Sequence, residues 1–252
     1  MGNNSQIEWT NSTWNVTTGC DKVSPGCKNC YAERLSARLR KMGVKKYSDG
    51  FKLKVHLKVM NYPLTLKQPK MIFVNSMSDL FHEGLSFIFI EKMFDVMQKA
   101  NWHQYQILTK RSDRLREFSK YYGKFPDNVW IGVSVESKFF KKRINDLKNV
   151  EAKIHFLSLE PLLGPIGELD LEDIEWVIAG GESGVEHREC KVEWIREIRD
   201  QCIKSQVAFF FKQWGGRTSK SKGRILDGKV WNEFPKFKHI VVESLITNTL
   251  NK

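Results

Sequence analysis

Seven short apolar runs, rich in β-branched and aromatic residues, recur along the 252-residue chain. They read TWNVTT, KMIFVNSM, YQILTK, VWIGVSV, KIHFLSL, EWVIAGG and VAFFFKQW. Most are too continuously apolar to be half-exposed strands, and such runs are typical of parallel strands that are covered on both faces. Since stretches with helical periodicity separate the runs, the sequence predicts alternating strands and helices.

The connecting stretches carry apolar residues at three- and four-residue spacings, which mark the buried face of a helix. The sets are Ile90, Phe94 and Met97; Leu115, Phe118 and Tyr122; Phe140, Ile144 and Leu147; and Ile195, Ile198 and Cys202. Cys202 is therefore interpreted as a core residue, while Cys190 is left open. About seven strand–helix units favour an α/β fold, a complete or partial (β/α) barrel, although the pattern also permits a doubly wound sheet.

The length suits a single domain, which we expect over residues 1–235, followed by a tail at 236–252. A basic insert at about 44–70, where KLKVHLKV alternates like an exposed strand, interrupts the strand–helix pattern. No stretch approaches the roughly 20 apolar residues of a membrane span, and the start lacks the features of a secretory signal. We therefore expect a cytoplasmic protein with no membrane partner.

Three of the five cysteines, Cys20, Cys27 and Cys30, lie between the first predicted strand and the first predicted helix. In a reducing compartment their clustering favours a metal site over a disulfide. A structural zinc site takes four ligands, so the fourth would come from Cys190 or a distant histidine. An iron-sulfur cluster on three thiolates instead leaves one iron open to a cofactor, and position and spacing favour this interpretation.

Seven ordered motifs give the chain a resemblance to a known family over about residues 7–235. They are TWNVTTGCDKVSPGCKNCYAERL, IFVNSMSDLFHE, ILTKRSDRL, VWIGVSVES, FLSLEPLLGPI, WVIAGGESG and FFFKQWGG. The chain resembles the three-cysteine-motif phage-type family, long catalogued as a domain of unknown function and placed near radical S-adenosylmethionine (SAM) enzymes. The resemblance implies a barrel of the radical SAM type, a 4Fe-4S cluster on Cys20, Cys27 and Cys30, and SAM as cofactor.

This sequence departs from the commoner radical SAM pattern, C-x3-C-x2-C with an aromatic residue before the third cysteine. Six residues separate Cys20 from Cys27, and Tyr31 follows Cys30. The Gly-Gly-Glu stretch follows the sixth strand instead of the second. Cofactor contacts therefore have to be judged residue by residue.

Polar residues follow the predicted strands, and in either fold the carboxyl ends of parallel strands carry the chemistry. Ser78 and Asp79 are candidates for the SAM ammonium, and Ser134 and Glu136 for the ribose; capping of the next helix is the alternative for both pairs. Candidates for further ligand contacts are Gly180, Gly181 and Glu182, for which the alternative is a glycine-permitted turn.

Other polar residues at the strand ends are substrate candidates: Lys110, Arg111, Glu160, Lys212, Gln213 and Trp214. The first two could meet a carboxylate or phosphate, or form a solvated face. Trp214 could stack on a base or belong to the aromatic core.

The formal charge of +12 and pI of about 9.4 suit a polyanionic partner. A cationic rim is predicted from Arg34, Arg38, Lys45, Lys46, Lys52, Lys54, Lys220, Lys222 and Arg224, the last three in a flexible loop at 217–224. The leading hypothesis is a radical SAM enzyme that uses an external electron donor and a 5′-deoxyadenosyl radical to modify or repair a nucleic acid or nucleotide, with lyase-type DNA repair as one version. The alternatives are a zinc-binding nucleic-acid module and a radical SAM enzyme for a small metabolite.

Overall fold

The computed structural model describes residues 5, 7–219 and 221–236. Its strands are β1 (Ser12–Trp14), β2 (Thr17–Thr18), β3 (Lys54–Val55), β4 (Met71–Val74), β5 (Gln104–Thr109), β6 (Val129–Ser134), β7 (Ile154–Leu159), β8 (Trp176–Gly180), β9 (Ala208–Gln213), β10 (Ile225–Leu226) and β11 (Lys229–Val230). Its helices are α1 (Tyr31–Lys41), α2 (Phe87–Lys99), α3 (Ser112–Tyr122), α4 (Lys142–Lys148) and α5 (Val192–Lys204). Lys220 and nearly all of the predicted tail lie outside the described residues.

Seven parallel strands form the main sheet in the order β1-β4-β5-β6-β7-β8-β9, which follows the chain. A doubly wound sheet would reverse its strand order part-way, so this alternative is wrong. Within the described residues β1 and β9 do not pair with each other, and the sheet is a partial (β/α) barrel. Two short antiparallel pairs, β2–β3 and β10–β11, lie outside it.

The apolar runs predict the strands well, and the helices less completely. Six runs each contain one main-sheet strand, but TWNVTT is divided between β1 and β2. The chain between β7 and β8 contains no helix, so the described residues form five α-helices where seven strand–helix units were expected. Phe140 belongs to a separate 3-10 turn, Lys138–Phe140, before α4.

The first helix also differs from expectation. Apolar residues at helical spacing commonly face inward, yet Leu35 is 39% and Met42 65% exposed, while Leu39 is half-buried. Ala32 and Ser36 are the buried residues of α1. In contrast Ile195, Ile198 and Cys202 are fully buried in α5, which confirms Cys202 as a core residue.

Alternation along the strands divides the core between the two faces of the sheet. One face packs Ile107, Ile131 and Leu157 against residues of the helices, such as Phe94 and Phe118. Because the helices of the crossovers pack on this face, the sheet bends in one direction, with the helices on its convex side. No helix of the described residues is long and apolar enough to cross a membrane.

The opposite, concave face is filled by aromatic side chains at the amino-terminal end of the strands. Its buried members include Phe73, Trp130, Phe156, Trp176 and Phe210. Trp9 from the N-terminal segment inserts among them, with ring centroids 4.7 Å from Phe73 and 6.1 Å from Trp176. Burial of each such side chain contributes up to about 3 kcal/mol.

Small polar side chains replace the aromatics toward the carboxyl ends of the same strands. Ser134 and Ser158 follow Trp130 and Phe156 on the inward positions of β6 and β7, and Asn75 follows β4. These residues line a cavity of about 640 Å³ at this end of the barrel. The change from large to small side chains therefore creates the cavity.

Candidate metal and cofactor site

Cys20, Cys27 and Cys30 all line this cavity, and each is half-buried. Cys20 follows β2, Cys27 ends the 3-10 turn Pro25–Cys27, and Cys30 directly precedes α1. Across the described residues, no three His, Cys, Asp or Glu side chains converge closely enough to hold one metal ion. The fold nevertheless brings all three thiols to one cavity.

Cys190 and Cys202 do not line the cavity. Burial, with a smaller contribution from Glu189, raises the pKa of the Cys190 thiol to about 12, and this side chain packs against the main core. Burial and the charge of Glu233 raise the pKa of Cys202 to about 12. The cysteine loop is defined here as residues 19–30, and Cys190 lies close to Gly181, where an added Cβ would be 3.0 Å from the Cys190 Cβ.

The position of Cys20 depends on the basic insert. The Cys20 amide donates to the carbonyl of Phe51 at 3.1 Å. Gly19 adopts a φ of +84°, and a Cβ there would lie 2.1 Å from the Lys52 carbonyl oxygen. Only glycine allows this approach, so the insert supports one side of the cysteine loop.

Arg111 is buried beneath the loop with 6% exposure, which excludes the solvated-face alternative for this residue. Its Nη1 donates to the Cys20 Sγ and to Asp79 Oδ2, both at 3.3 Å. Its Nε donates to Glu83 at 2.8 Å, and Nη2 to the Asp21 carbonyl at 3.3 Å. One guanidinium thus connects the end of β5 to the first cysteine.

The Cys20 thiol has an unusual electrostatic environment. Burial and the negative charge of Asp79 raise its pKa to about 11, although Arg111 acts in the opposite direction. The Cys20 sulfur is therefore partly shielded from water, and the Arg111 guanidinium donates a hydrogen bond to it.

Asp79 accepts four hydrogen bonds from within the chain. The donors are the Thr109 hydroxyl at 2.7 Å, the Phe81 amide at 3.0 Å, the Lys110 amide at 3.2 Å and Arg111. A carboxylate offers about four acceptor sites, so a ligand ammonium would have to replace an internal donor. The helix-cap alternative is wrong, because α2 begins at Phe87 and is capped by Ser86.

Ser78 lines the cavity and also contacts the cysteine loop. Its hydroxyl donates to the Gly19 carbonyl at 2.6 Å. The loop is held further by the Gly19 amide, which donates to the Met77 carbonyl at 2.9 Å. The end of β4 therefore supports the loop directly beside Cys20.

Glu136 is fully buried and does not belong to the cavity lining, so its predicted contact with the ribose stays a prediction. Its carboxylate accepts from Arg143 at 2.7 Å and from the Gly26 amide at 3.3 Å. Burial pushes its pKa upward, but the charges of Lys110 and Arg143 outweigh this and hold the pKa below its ordinary value. Ser134, by contrast, does line the cavity.

Glu182 connects the Gly-Gly-Glu segment to the cysteine loop. It is 4% exposed and accepts from the Arg188 amide and Nε at 2.9 Å each, and from the Asn29 side chain at 3.0 Å. Burial pushes the pKa of Glu182 upward, but the hydrogen bonds from Arg188 and Asn29 have the larger combined effect and hold the pKa below its ordinary value. Gly181 also lines the cavity, and a Cβ there would lie 2.1 Å from the Trp214 carbonyl oxygen.

Glu160, Lys212 and Gln213 form a group at the ends of β7 and β9. Lys212 Nζ lies 2.7 Å and 2.9 Å from the two Glu160 oxygens, and all three residues line the cavity. Trp214 does not, because its indole N–H donates to the Ile225 carbonyl and its ring packs on Phe211 with centroids 4.6 Å apart. The predicted base stacking on Trp214 is therefore not supported, whereas the core alternative is.

The cavity thus brings together all but three of the predicted site residues. Those outside its lining are Glu136, Gly180 and Trp214. Sequence spacing did not predict several contacts of the cysteine loop. The residues that make them, directly or through the loop's carboxylate partners, are Asn29, His82, Arg143 and Arg188. Long-range pairing of polar side chains has no periodicity in the sequence, so spacing could not reveal it.

The predicted cationic rim is only partly present. Arg34 lines the cavity and donates to the Ser183 carbonyl, and Arg217 also lines it. Arg224 is not a rim residue: its guanidinium packs over Phe210 at 4.7 Å and donates to the Trp231 carbonyl. Lys54 pairs with Asp49 at 2.8 Å, and Lys220 lies outside the described residues.

Comparison with known proteins gives a family but no activity. The model of the family described as Protein of unknown function (DUF5131) matches residues 4–235. The chain belongs to this family. No curated protein matches it.

Weak similarity to solved structures of spore photoproduct lyase was found. A double mutant with bound AdoMet and dinucleoside spore photoproduct has a TM-score of 0.42 and 14% identity, with 76% of this chain covered. A complex with the dinucleoside spore photoproduct has a TM-score of 0.38, 13% identity and the same 76% coverage. The chain spans 61% of the length of each of these proteins.

Proposed function

We propose that this protein is a radical SAM enzyme whose 4Fe-4S cluster is held by Cys20, Cys27 and Cys30. The observation that carries the proposal is the placement of three half-buried thiols on one loop at one cavity, with the remaining two cysteines packed elsewhere. A cluster presents its thiolate positions on separate irons, so it needs a wider arrangement than a single ion does. Three thiolates would hold three irons of such a cluster and leave the fourth iron open to a cofactor.

The chain's own residues prepare the loop for such a group. Arg111, Ser78, Glu136 and Glu182 reach the loop from the ends of four strands, so it is tied down by the rigid part of the fold. Partners of this kind orient metal ligands and tune the group that the ligands bind. When bound, the cluster supplies the electron that cleaves SAM.

The cavity is large enough for SAM and part of a substrate, since ligand pockets are typically about 300–1,000 Å³. Ser78, Asp79, Ser134, Gly181 and Glu182 line it and remain the proposed contacts for SAM. Asp79 and Glu182 each have internal donors, so SAM would share or replace one of them.

The test is anaerobic reconstitution with iron and sulfide. Wild-type protein and Cys202→Ala should each bind one cluster, and reduced protein should convert SAM to 5′-deoxyadenosine. Cys27→Ala should bind none, because two thiolates cannot hold the cluster. Iron and sulfide analysis with electron paramagnetic resonance measures this, and full iron loading of Cys27→Ala, or zinc without iron in anaerobically purified protein, contradicts the proposal.

We further propose that the substrate is a nucleic acid or nucleotide, which the protein modifies or repairs. The formal charge of +12 and the placement of Arg34, Lys110 and Arg217 at the cavity support a polyanionic ligand. Salt-dependent binding of DNA or RNA tests this part separately from the cluster, and its absence favours a small-metabolite substrate.

A further inference from the structure

The ion pair of Glu160 and Lys212 faces the cavity but does not hold the cysteine loop. Within the described part of the chain, the hydrogen bonds to the Glu160 carboxylate come from Lys212 and Gln213. Asp79, Glu136 and Glu182 differ in this respect, since each is bonded to the loop or to an arginine that contacts it. Glu160 and Lys212 are therefore left without a role in the cluster site.

The fold does not need this pair to align its strands. Backbone hydrogen bonds already join β7 to β8 and β8 to β9, and the pair passes over the end of β8. A Cβ at Gly180 would lie 3.4 Å from the Lys212 Cβ, so the start of the Lys212 side chain packs against the end of β8. A partly buried ion pair contributes little net stability, so its place at a cavity indicates a ligand.

Counting hydrogen-bond capacity shows what the pair can still bind. Two of the three ammonium hydrogens of Lys212 are directed at Glu160, which leaves one donor. Among the described residues, Glu160 Oε1 accepts from Lys212 at 2.7 Å and from Gln213 at 3.4 Å, whereas Oε2 accepts one hydrogen bond, from Lys212 at 2.9 Å. One donor and one acceptor therefore remain side by side.

We infer that Glu160 and Lys212 bind a nucleobase edge on which an N–H donor stands beside an acceptor atom. The Glu160 oxygen accepts the N–H, and the Lys212 ammonium donates to the acceptor. The ring N–H and carbonyl of thymine or uracil form such an edge, and the amino group and ring nitrogen of cytosine or adenine form another. The inference rests on the proposed nucleic acid or nucleotide substrate and names the part of the base that the pair binds.

The test compares binding of thymidine and N3-methylthymidine by calorimetry, using the full chain with its metal content recorded. Thymidine should bind about ten- to a hundredfold more tightly, because methylation removes the N–H that a charged acceptor holds. Glu160→Gln and Lys212→Met should each remove most of this preference. Uridine should behave as thymidine does, and N3-methyluridine should bind as poorly as N3-methylthymidine.

Lys153→Met provides a matched control, because Lys153 pairs with Asp127 at 3.1 Å and does not line the cavity. It should leave the preference for thymidine unchanged. Equal binding of the two thymidines, or a preference that survives both Glu160→Gln and Lys212→Met, overturns the inference. Since this binding requires no turnover, a failure here is distinguishable from a failure to assemble the cluster.

Discussion

Asp79, Glu136 and Glu182 are three buried carboxylates that follow β4, β6 and β8, where a cofactor site was expected. Each accepts hydrogen bonds from an arginine, and together with those arginines they surround the cysteine loop. A buried charge is costly unless it is paired and hydrogen-bonded. At the scale of single residues, therefore, much of the charge at this site positions the loop and only part of it is left for ligands.

Arg111 provides the most direct test of that role. Arg111→Lys keeps the positive charge but cannot contact Cys20, Asp79, Glu83 and the Asp21 carbonyl together, because an ammonium is a compact group without the guanidinium fork. We expect about a 10- to 100-fold loss in affinity for the metal group, as for other partners of metal ligands. Iron retention during chelator challenge measures it.

The control for Arg111 is Arg116→Lys on α3, the helix that follows Arg111, where the Arg116 side chain is 40% exposed. It should retain iron as the wild type does. Thermal melting of both apoproteins shows whether the fold is intact. Wild-type iron retention in a folded Arg111→Lys protein would show that the contact with Cys20 is incidental.

At the scale of elements, the hairpin of β10 and β11 is attached to α5 by charge. Asp227, in the two-residue turn of the hairpin, accepts from Arg196 at 3.1 Å and also pairs with Arg199. These hydrogen bonds, from Arg196 first and then Arg199, lower the pKa of Asp227 from 3.8 to about 2. Since Trp214 donates to the Ile225 carbonyl, the hairpin also supports the chain that leaves β9.

The pKa of Asp227 gives a prediction with a definite sign. A lowered pKa means that the carboxylate stabilises the folded state above its ordinary pKa of 3.8, and that this contribution is lost as the pH falls toward 2. Asp227→Asn should therefore melt below the wild type at neutral pH, and the difference should close between about pH 4 and 2. Asn suits the turn because it tolerates the φ of 51° at this position.

Thermal melting over a pH series measures the difference between the two proteins. The comparison cancels the general acid destabilisation that affects both. A gap that stays constant down to pH 2 would show that the ion pair does not act through the Asp227 charge.

The strands and helices also show how much of the fold can be predicted from the sequence. Continuous apolar runs predict buried parallel strands because burial on both faces imposes that composition, and the structure confirms them. The order of the strands and the absence of a helix between β7 and β8 depend on how the chain connects one strand to the next. These connections leave no local pattern in the sequence, so neither feature could be predicted. Leu35 and Met42 fit a helical stripe but are exposed, since small Ala32 and Ser36 form the contact of α1 instead.

Residues of the candidate site could be predicted where a residue type suited to binding or chemistry lies at the end of a predicted strand. The three cysteines, Glu160 and Lys212 were found in this way, and all line the cavity. Pairings such as Arg111 with Cys20 join residues that are 91 positions apart. Only the folded chain brings them together, so spacing could identify both residues but not their contact.

At the scale of the whole molecule, the charges are distributed unevenly. The acidic side chains at the site, Asp79, Glu160 and Glu182, are paired with Arg111, Lys212 and Arg188. Their negative charge is thus neutralised inside the protein, while the formal charge of the chain is +12. A phosphate backbone that approaches the cavity would therefore meet a predominantly basic surface.

The last prediction concerns that surface. Three exposed basic residues lie beside the site: Lys52, Arg217 and Lys222. Arg217 lines the cavity, and Lys222 lies in the loop that follows Arg217. Lys52 belongs to the insert that supports Cys20. Replacing all three by Ala should weaken binding to nucleic acid and flatten its salt dependence, because each phosphate contact contributes a slope of about 0.7 to 0.9. Fluorescence anisotropy with a labelled oligonucleotide, measured over a salt series, gives both quantities.

The matched triple variant replaces Lys92, Lys99 and Lys120, exposed residues of α2 and α3, and removes the same charge. If both triple variants lose affinity equally, the attraction comes from net charge alone, whereas a loss confined to the first variant locates the phosphate contacts beside the cavity.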